Sequence, residues 1–526
     1  MSLAPVERID ADVAVVGSGF AGSLAALALL RRGRRVVLVE RGRHPRFAIG
    51  ESSTPLANLL LEELSDRYDL PRVRAFSKWG PWQRTRPDVA CGLKRGFTFF
   101  FHQPGAAFAD DADHQRQLLV AASPHDDIAD THWYRPQFDH ALAQEAQAEG
   151  AIYLDTTRLE GLRHEGDRTI LDGERDGRSV RITTRFVIDA SGPRGFLHRA
   201  LGLEEAARRW LPATQGLYTH FEAVDRWDRV RPASEPPPYP IDDAAVHHVF
   251  PGGWIWVLRF NNGLTSAGAA LTDPVAAALG AADGATAWDR LLATLPSVAE
   301  QFRTARAVLP FVHAPRLAFR SQRVAGPAWA LLPSAAGVID PLLSTGFPLT
   351  LLGILRLVDL LERTSAGGDR DAALQAYEQA TLAELDATER LVAALYATMD
   401  DPRLFKRLSL LYFAAASFSE AARRLGRPQL APGFLLCAHP TFGPELAACS
   451  SVAASAPQGS ARRVLETRID RAIEPFDTAG LLNRGRRDWY PVVAADLIAS
   501  AAKLDATPGE MLRLLERAGM VPASRA

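Results

Sequence analysis

The chain has 526 residues, a formal net charge of −1 and 47% apolar residues. That length exceeds one ordinary core, so two or three domains are expected, and the balanced charge points away from nucleic acid. Cys91, Cys437 and Cys449 stand far apart with no CxxC spacing, which excludes a cysteine-rich metal site, fits a reducing compartment and leaves no metal expected.

Glu7, Arg8, Asp10 and Asp12 precede the first apolar run, so the start does not read as a signal peptide. No apolar run reads as long enough to cross a bilayer, and a cytoplasmic protein is expected. Residues 11–16 read as a short strand, 24–30 as a helix and 35–39 as a second strand ending in Glu40. Between the first strand and the helix stand Gly17, Gly19, Phe20, Ala21 and Gly22. Strand, glycine turn, helix, strand and acid form the dinucleotide fingerprint in its full context. Gly17 permits the tight turn, Gly19 lets the backbone approach a pyrophosphate, and Gly22 lets the helix pack on the strand. The phosphates then meet free N–H groups at the positive helix end. Glu40 stands where a carboxylate accepts hydrogen bonds from ribose hydroxyls and repels a 2′-phosphate. The fingerprint alone leaves NAD and FAD open.

Residues 43–55, rich in glycine, hydroxyls and proline, read as a loop. Helices are expected at 56–64 and 133–150, and strands at 96–101, 151–154, 178–184 and 186–189. The last strand runs into Asp189, Ala190, Ser191 and Gly192. Residues 203–314 read as β-rich with proline-rich loops, with strands at 247–250, 254–260 and 264–270. A buried strand at 328–332, a loop at 333–346 and a helix at 347–362 follow, and the chain beyond 364 reads as helical to its end, interrupted by a Pro/Gly segment at 427–442. The only lysines are Lys78, Lys94, Lys406 and Lys503, against an arginine-rich background.

The run Pro45-Arg46-Phe47-Ala48-Ile49-Gly50-Glu51-Ser52-Ser53-Thr54-Pro55, taken with the glycine turn and Glu40, resembles the flavin-dependent halogenases. In that family the fingerprint is followed by a Gly-Glu-Ser-Thr loop. Four later segments are similar to the family's in the same order: Arg135-Pro136-Gln137-Phe138-Asp139, Asp189-Ala190-Ser191-Gly192, Gly253-Trp254-Ile255-Trp256-Val257-Leu258, and Ile339-Asp340-Pro341-Leu342-Leu343-Ser344-Thr345-Gly346. The resemblance implies an α/β fold, with a Rossmann-like FAD-binding domain of the aromatic-hydroxylase type and an inserted β-rich substrate domain. The expected division is 1–202 for the first part of the FAD-binding domain, carrying a substrate-side insertion at about 71–130. Residues 203–314 then form the substrate domain, 315–364 the last part of the FAD-binding domain, and 365–526 a helical C-terminal domain.

As the resemblance implies, FAD is the cofactor, held by Gly17, Gly19, Phe20, Ala21, Gly22, Glu40, Arg46, Ile49, Gly50, Glu51, Ser52, Asp189, Gly192, Ser334, Thr345 and Gly346. Three positions depart from the family pattern. Ser334 replaces an aspartate that binds the ribityl chain, Arg259 replaces a proline, and Leu343 replaces the glutamate of tryptophan halogenases. The last points to the phenol or pyrrole type.

Thr345 and Gly346 precede a helix, where N–H groups face an anion. That anion is either halide or the reduced flavin edge. Trp254 and Trp256 share one strand face, either as a wall between flavin and substrate or as sheet core. Lys94 opens the aromatic strand. In the family a lysine there holds the halogen, its ammonium hydrogen-bonding hypohalous acid or its amine forming a haloamine; a surface lysine is the alternative, and Lys78 is the rival. His247 and His248 precede the tryptophan strand, and His248 is expected on the substrate tunnel unless both are satisfied within the sheet. The amphipathic run 404–425 reads as core packing, a lid or a membrane-surface helix.

The function implied is a two-component FAD enzyme that halogenates an electron-rich aromatic or heteroaromatic substrate, free or carrier-bound. Chloride or bromide is the co-substrate and a separate flavin reductase the partner. A flavin monooxygenase or C=C reductase of the same fold, and an inactive flavin-fold binding protein, are the alternatives.

Overall fold

The computed structural model describes residues 6–207, 209–365 and 368–522. Val13–Val16 and Val36–Val39 are buried at every position, as strands covered on both faces require. They pair in parallel at the centre of a six-stranded sheet. Its order is Ala325–Gly326, Trp329–Leu331, Phe186–Asp189, Val13–Val16, Val36–Val39, Ile152–Leu154. All neighbours are parallel except the edge pair 325–326 with 329–331. Helix Phe20–Leu30 leaves the central strand and is buried from Phe20 to Leu29. The glycines set this geometry. Gly17 has φ +97°, and a Cβ on Gly22 would lie 1.8 Å from the Gly17 carbonyl oxygen.

A nine-stranded sheet carries the substrate side. Its core order is Thr214–Glu222, Thr265–Thr272, Gly253–Arg259, Ala245–Phe250, Gly96–Phe101, Gln117–Ala121, Trp489–Tyr490. The two-residue period sorts its side chains into two cores. Phe97, Phe99, Phe101, Trp254, Trp256 and Leu258 join the main core, whereas Phe100, Val246, Ile255 and Val257 pack in a second core with Trp227 and Trp288. Helix Pro402–Arg424 covers the first face: the Phe405 ring lies 5.2 Å from Phe101, and Phe413 lies 5.3 Å from Phe97. A smaller sheet joins Glu7–Asp10 to Arg178–Thr184, Arg168–Arg175 and Thr157–Glu165.

Several elements differ from expectation. Residues 273–301, expected to be β-rich, carry helices Asp273–Leu279, Ala285–Thr294 and Pro296–Gln301. Pro274 and Pro296 sit in the first turns of two of them, where a missing N–H is harmless. The C-terminal part holds long helices Arg370–Tyr396, Pro402–Arg424, Phe442–Ala453 and Gly459–Ile473. Trp489–Tyr490 nevertheless returns to the substrate sheet as a strand parallel to Gln117–Ala121. Helix Gly346–Ser365 corrects the expectation on membrane spans. The stretch Leu342–Thr364, which takes in the turn before that helix and most of the helix, is long and apolar enough to cross a bilayer, yet 78% of the most apolar window is buried inside the protein, as in a core helix.

Gly22→Ala should lower the unfolding free energy by about 3 kcal/mol or more, because the clashing atom is backbone and cannot swing aside. Denaturant unfolding followed by circular dichroism checks this; an unchanged midpoint would contradict the close helix–strand packing.

Candidate active site

The expected cofactor residues gather at the C-terminal ends of the parallel strands, where α/β folds of this kind bind dinucleotides. Around the glycine turn, a Cβ on Gly19 would lie within 3.6 Å of the Arg135, Asp139 and Arg46 side chains, and one on Gly17 would strike the Ala190 backbone at 2.7 Å. Phe20, Trp133 and Phe347 pack as one cluster, with Phe20 to Phe347 at 4.9 Å and Trp133 to Phe347 at 4.1 Å. The first helix is thereby fixed to the helix that follows Thr345 and Gly346. Ala21 and Gly22 are buried in the first helix.

Glu40 accepts hydrogen bonds from Ser18 N (3.1 Å), Ser18 Oγ (3.1 Å), Gly42 N (2.9 Å) and Arg46 (3.1 Å). Burial works against its charge, but Arg46 and these donors hold the carboxyl below its ordinary range. Arg135 forms a bidentate pair with Asp139 at 2.7 and 2.8 Å, and donates to the carbonyls of Ile49 (3.1 Å) and Gly50 (2.9 Å). The Arg-x-x-x-Asp pattern is therefore a clamp on the 49–52 loop. Asp189 spends its carboxylate on its own turn, accepting from Ser191 N, Ser191 Oγ and Leu197 N. Gly192 has φ +88° and open space where a Cβ would be. Ser334 Oγ and Arg46 Nε are buried without a hydrogen-bond partner. Orphaned polar atoms are rare in native interiors, and here they suit the polar groups of a dinucleotide.

The turn before helix Gly346–Ser365 is strained: Leu343 has φ +65° and Ser344 φ +55°. Such backbone persists where the surroundings over-determine it, commonly at functional sites. Thr345 is buried and Gly346 has open space at its Cβ position. The first N–H groups of the helix have no intrahelical acceptor. Asp340 Oδ1 holds the turn by accepting from Leu342 N at 2.9 Å. Its Oδ2 accepts from the Tyr396 hydroxyl at 2.8 Å, and Trp254 Nε1 donates to that hydroxyl at 3.2 Å. Burial pushes the Asp340 carboxyl up to about 6. One tyrosine of the C-terminal helices thus joins the strained turn to the tryptophan strand.

Lys94 is completely buried. Its ammonium donates to Ser52 Oγ at 2.9 Å and to the Ser53 carbonyl, and lies 3.7 Å from the Phe97 ring centroid. Across the pair Cys91–Lys94 and Asp130–Trp133 it stands opposite Asp130. Burial pushes the lysine down despite the pull of Asp130, and pushes Asp130 up. Lys78 Nζ is 3.8 Å from Asp130, so the rival lysine serves as the counter-ion of that acid.

The Trp254 and Trp256 rings lie 5.6 Å apart, with His247 5.3 Å from Trp254 and stacked on Phe99 at 4.3 Å. His248 does not join them, which corrects its expected place on the tunnel. The strand period turns it to the opposite face, where it meets His102 at 3.0 Å and Gln301 at 3.0 Å beside Trp227. Burial pushes His247 and His248 down to about 3, so both are neutral. Glu51 reaches across to the substrate sheet, with Oε1 3.0 Å from His220 Nε2. Sequence reasoning missed His220, Asp130 and Tyr396. Their partners lie 169, 36 and 56 residues away, and no local pattern marks them.

Residues 12–347 match the model of the FAD dependent oxidoreductase family. The chain is 31% identical over 418 residues to the monodechloroaminopyrrolnitrin halogenase PrnC of Pseudomonas fluorescens, covering 76% of this chain and 70% of that one. It is 30% identical over 395 residues to the tetracycline 7-halogenase of Kitasatospora aureofaciens, covering 72% and 69%. Among solved structures, halogenase PltM in complex with phloroglucinol and FAD shares the fold, with a TM-score of 0.81 at 24% identity over 91% of this chain and 99% of that one. The fold and the cradle define an FAD-dependent oxidoreductase. Within that class, the chain belongs to the flavin-dependent halogenases.

Tyr396→Phe strips a partner from both Asp340 and Trp254, and should cost about 1–3 kcal/mol of stability. Urea unfolding measures it, and a loss below about 0.5 kcal/mol would show the three groups are not coupled.

Proposed function

We propose that this halogenase acts on a small electron-rich aromatic or heteroaromatic substrate, free or carrier-bound, with chloride or bromide as co-substrate. The observation that carries the reading is Lys94. A buried ammonium sits where the 49–55 loop meets the aromatic strand Gly96–Phe101. The names of two relatives, a monodechloroaminopyrrolnitrin halogenase and a tetracycline 7-halogenase, support the substrate class.

The cofactor residues named above hold FAD, with Glu40 and Arg46 at one end, Ser334 on the ribityl side, and Thr345 with Gly346 at the helix start. When bound and reduced, FAD supplies the chemistry by which oxygen oxidises halide to hypohalous acid. The N–H groups of Thr345 and Gly346 hold the halide by the helix-end field. Asp340 keeps that turn in its strained form. Trp254 and Trp256 exclude water on the substrate side. Lys94 holds the halogen for the ring carbon: with its charge disfavoured by burial, the amine is available as a nucleophile or as a hydrogen-bond donor.

In this reading residues 1–202 and 315–364 form the FAD-binding domain, with 71–130 inserted. Residues 203–314 form the substrate domain, joined by strands Gly96–Phe101 and Gln117–Ala121 from that insertion, and 365–526 cover it. A cytoplasmic location and a separate flavin reductase follow from the single dinucleotide fingerprint and the reduced-cysteine composition.

The test is product analysis by mass spectrometry with FAD and a reductase, with and without bromide. Brominated product only when bromide and reductase are both present is expected. Oxygenated product without halide, or rapid FAD reduction by NADPH in the isolated protein, would favour the monooxygenase instead.

A further inference from the structure

Between helix Pro402–Arg424, the edge of the substrate sheet and residues 479–520 lies a cavity of about 120 Å³. Its walls are apolar, with Pro55, Phe97, Phe413 and Leu515 among them. Three links place it beside Lys94. Phe97, on its wall, carries the Lys94 ammonium at 3.7 Å. Pro55 ends the loop whose Ser52 and Ser53 accept from that ammonium. Glu420 and Tyr412, both on its wall, lie within electrostatic reach of Asp130, the residue paired opposite Lys94.

Among the described residues, the only charged side chains lining the cavity are Glu420 and Arg424. Arg424 is shared: its Nε donates to Glu420 Oε1 at 2.9 Å and its Nη1 to Glu62 at 3.3 Å. One cation on the wall thus serves two carboxylates, one on the wall and one behind it, so the charge of Glu420 is only partly balanced. Among the described residues, no hydrogen bond reaches Glu420 Oε2. Solvent reaches that oxygen, and a ligand entering this apolar, half-enclosed space must replace the water with a donor of its own, since a carboxylate oxygen stripped of water and left unpaired is costly.

We propose that this cavity seats the substrate ring and that Glu420 is its specificity-determining residue. Its carboxylate accepts a hydrogen bond from an N–H or O–H carried on the ring, and repels aromatic carboxylates. This rests on the halogenase reading for the role of Lys94. It adds a function for the C-terminal region: Tyr490, Met511 and Leu515 close the cavity and so define the size of the ring that enters.

Phloroglucinol and 2,4,6-trihydroxybenzoate are the probes, titrated calorimetrically against the FAD-loaded protein without halide or reductant. Wild type should bind the neutral triol and discriminate against its carboxylated analogue. Glu420→Leu should weaken phloroglucinol about tenfold or more. Glu420→Gln, which keeps a hydrogen bond to Arg424, should gain affinity for 2,4,6-trihydroxybenzoate, a gain that misfolding cannot produce. FAD binding should be equal in all three proteins.

Equal affinity of wild type and both variants for each probe would overturn the assignment of Glu420. Failure of the FAD-loaded wild type to bind phloroglucinol, aniline and pyrrole alike would overturn the cavity as the ring site. The binding readout needs no turnover, so either failure leaves halide-dependent product formation standing, and loss of halogenation leaves the binding pattern standing.

Discussion

The structure depends on one buried charge. An ammonium removed from water is stable only if its surroundings replace what water supplied. For Lys94 these are the hydroxyl of Ser52, the carbonyl of Ser53, the face of Phe97 and, across the strand pair, Asp130. These partners come from three different parts of the structure. The serines belong to the loop clamped by Arg135, and Phe97 to the sheet that carries the tryptophans. Asp130 is itself held by Asn58 at 2.7 Å and faced by Lys78. Placing this lysine therefore places the cofactor loop against the substrate sheet.

Two further joints tie the same parts together. Glu51 of the loop meets His220 of the sheet, both side chains without exposure. Asp340, Tyr396 and Trp254 tie the strained turn, the C-terminal helices and the sheet into one hydrogen-bonded chain. Buried polar chains of this kind act as a unit, because breaking one link strands its neighbours. The consequence for chemistry is positional. The helix start at Thr345 and Gly346, the tryptophan face and Lys94 hold fixed relations although they come from segments far apart in the chain.

The dinucleotide-binding fold was legible in the sequence because its signals are local. The glycine spacing, the apolar runs beside it, Glu40 and the loop to Pro55 are all contiguous patterns, and strand Gly96–Phe101 carries its aromatics in plain sight. The Trp254 and Trp256 alternation also read correctly as one face. His248 did not, since a strand's period says which neighbours share a face but not which face is the functional one. Tyr396, His220 and Glu420 left no signal, because each matters only through a partner that folding brings near. Trp489–Tyr490 was missed for the same reason: a two-residue edge strand has no period of its own and exists by pairing with Gln117–Ala121.

The central claim is that Lys94 holds the halogen after it leaves the flavin and before it reaches the ring. The most direct measurement compares Lys94→Met with Lys78→Met, using bromide, reduced FAD and phloroglucinol, with FAD affinity measured in parallel. Methionine keeps the unbranched shape and removes the nitrogen. The account predicts that Lys94→Met binds FAD like wild type and loses brominated product about a thousandfold, while Lys78→Met retains most of it. Full product yield from Lys94→Met with equal FAD affinity would contradict the account.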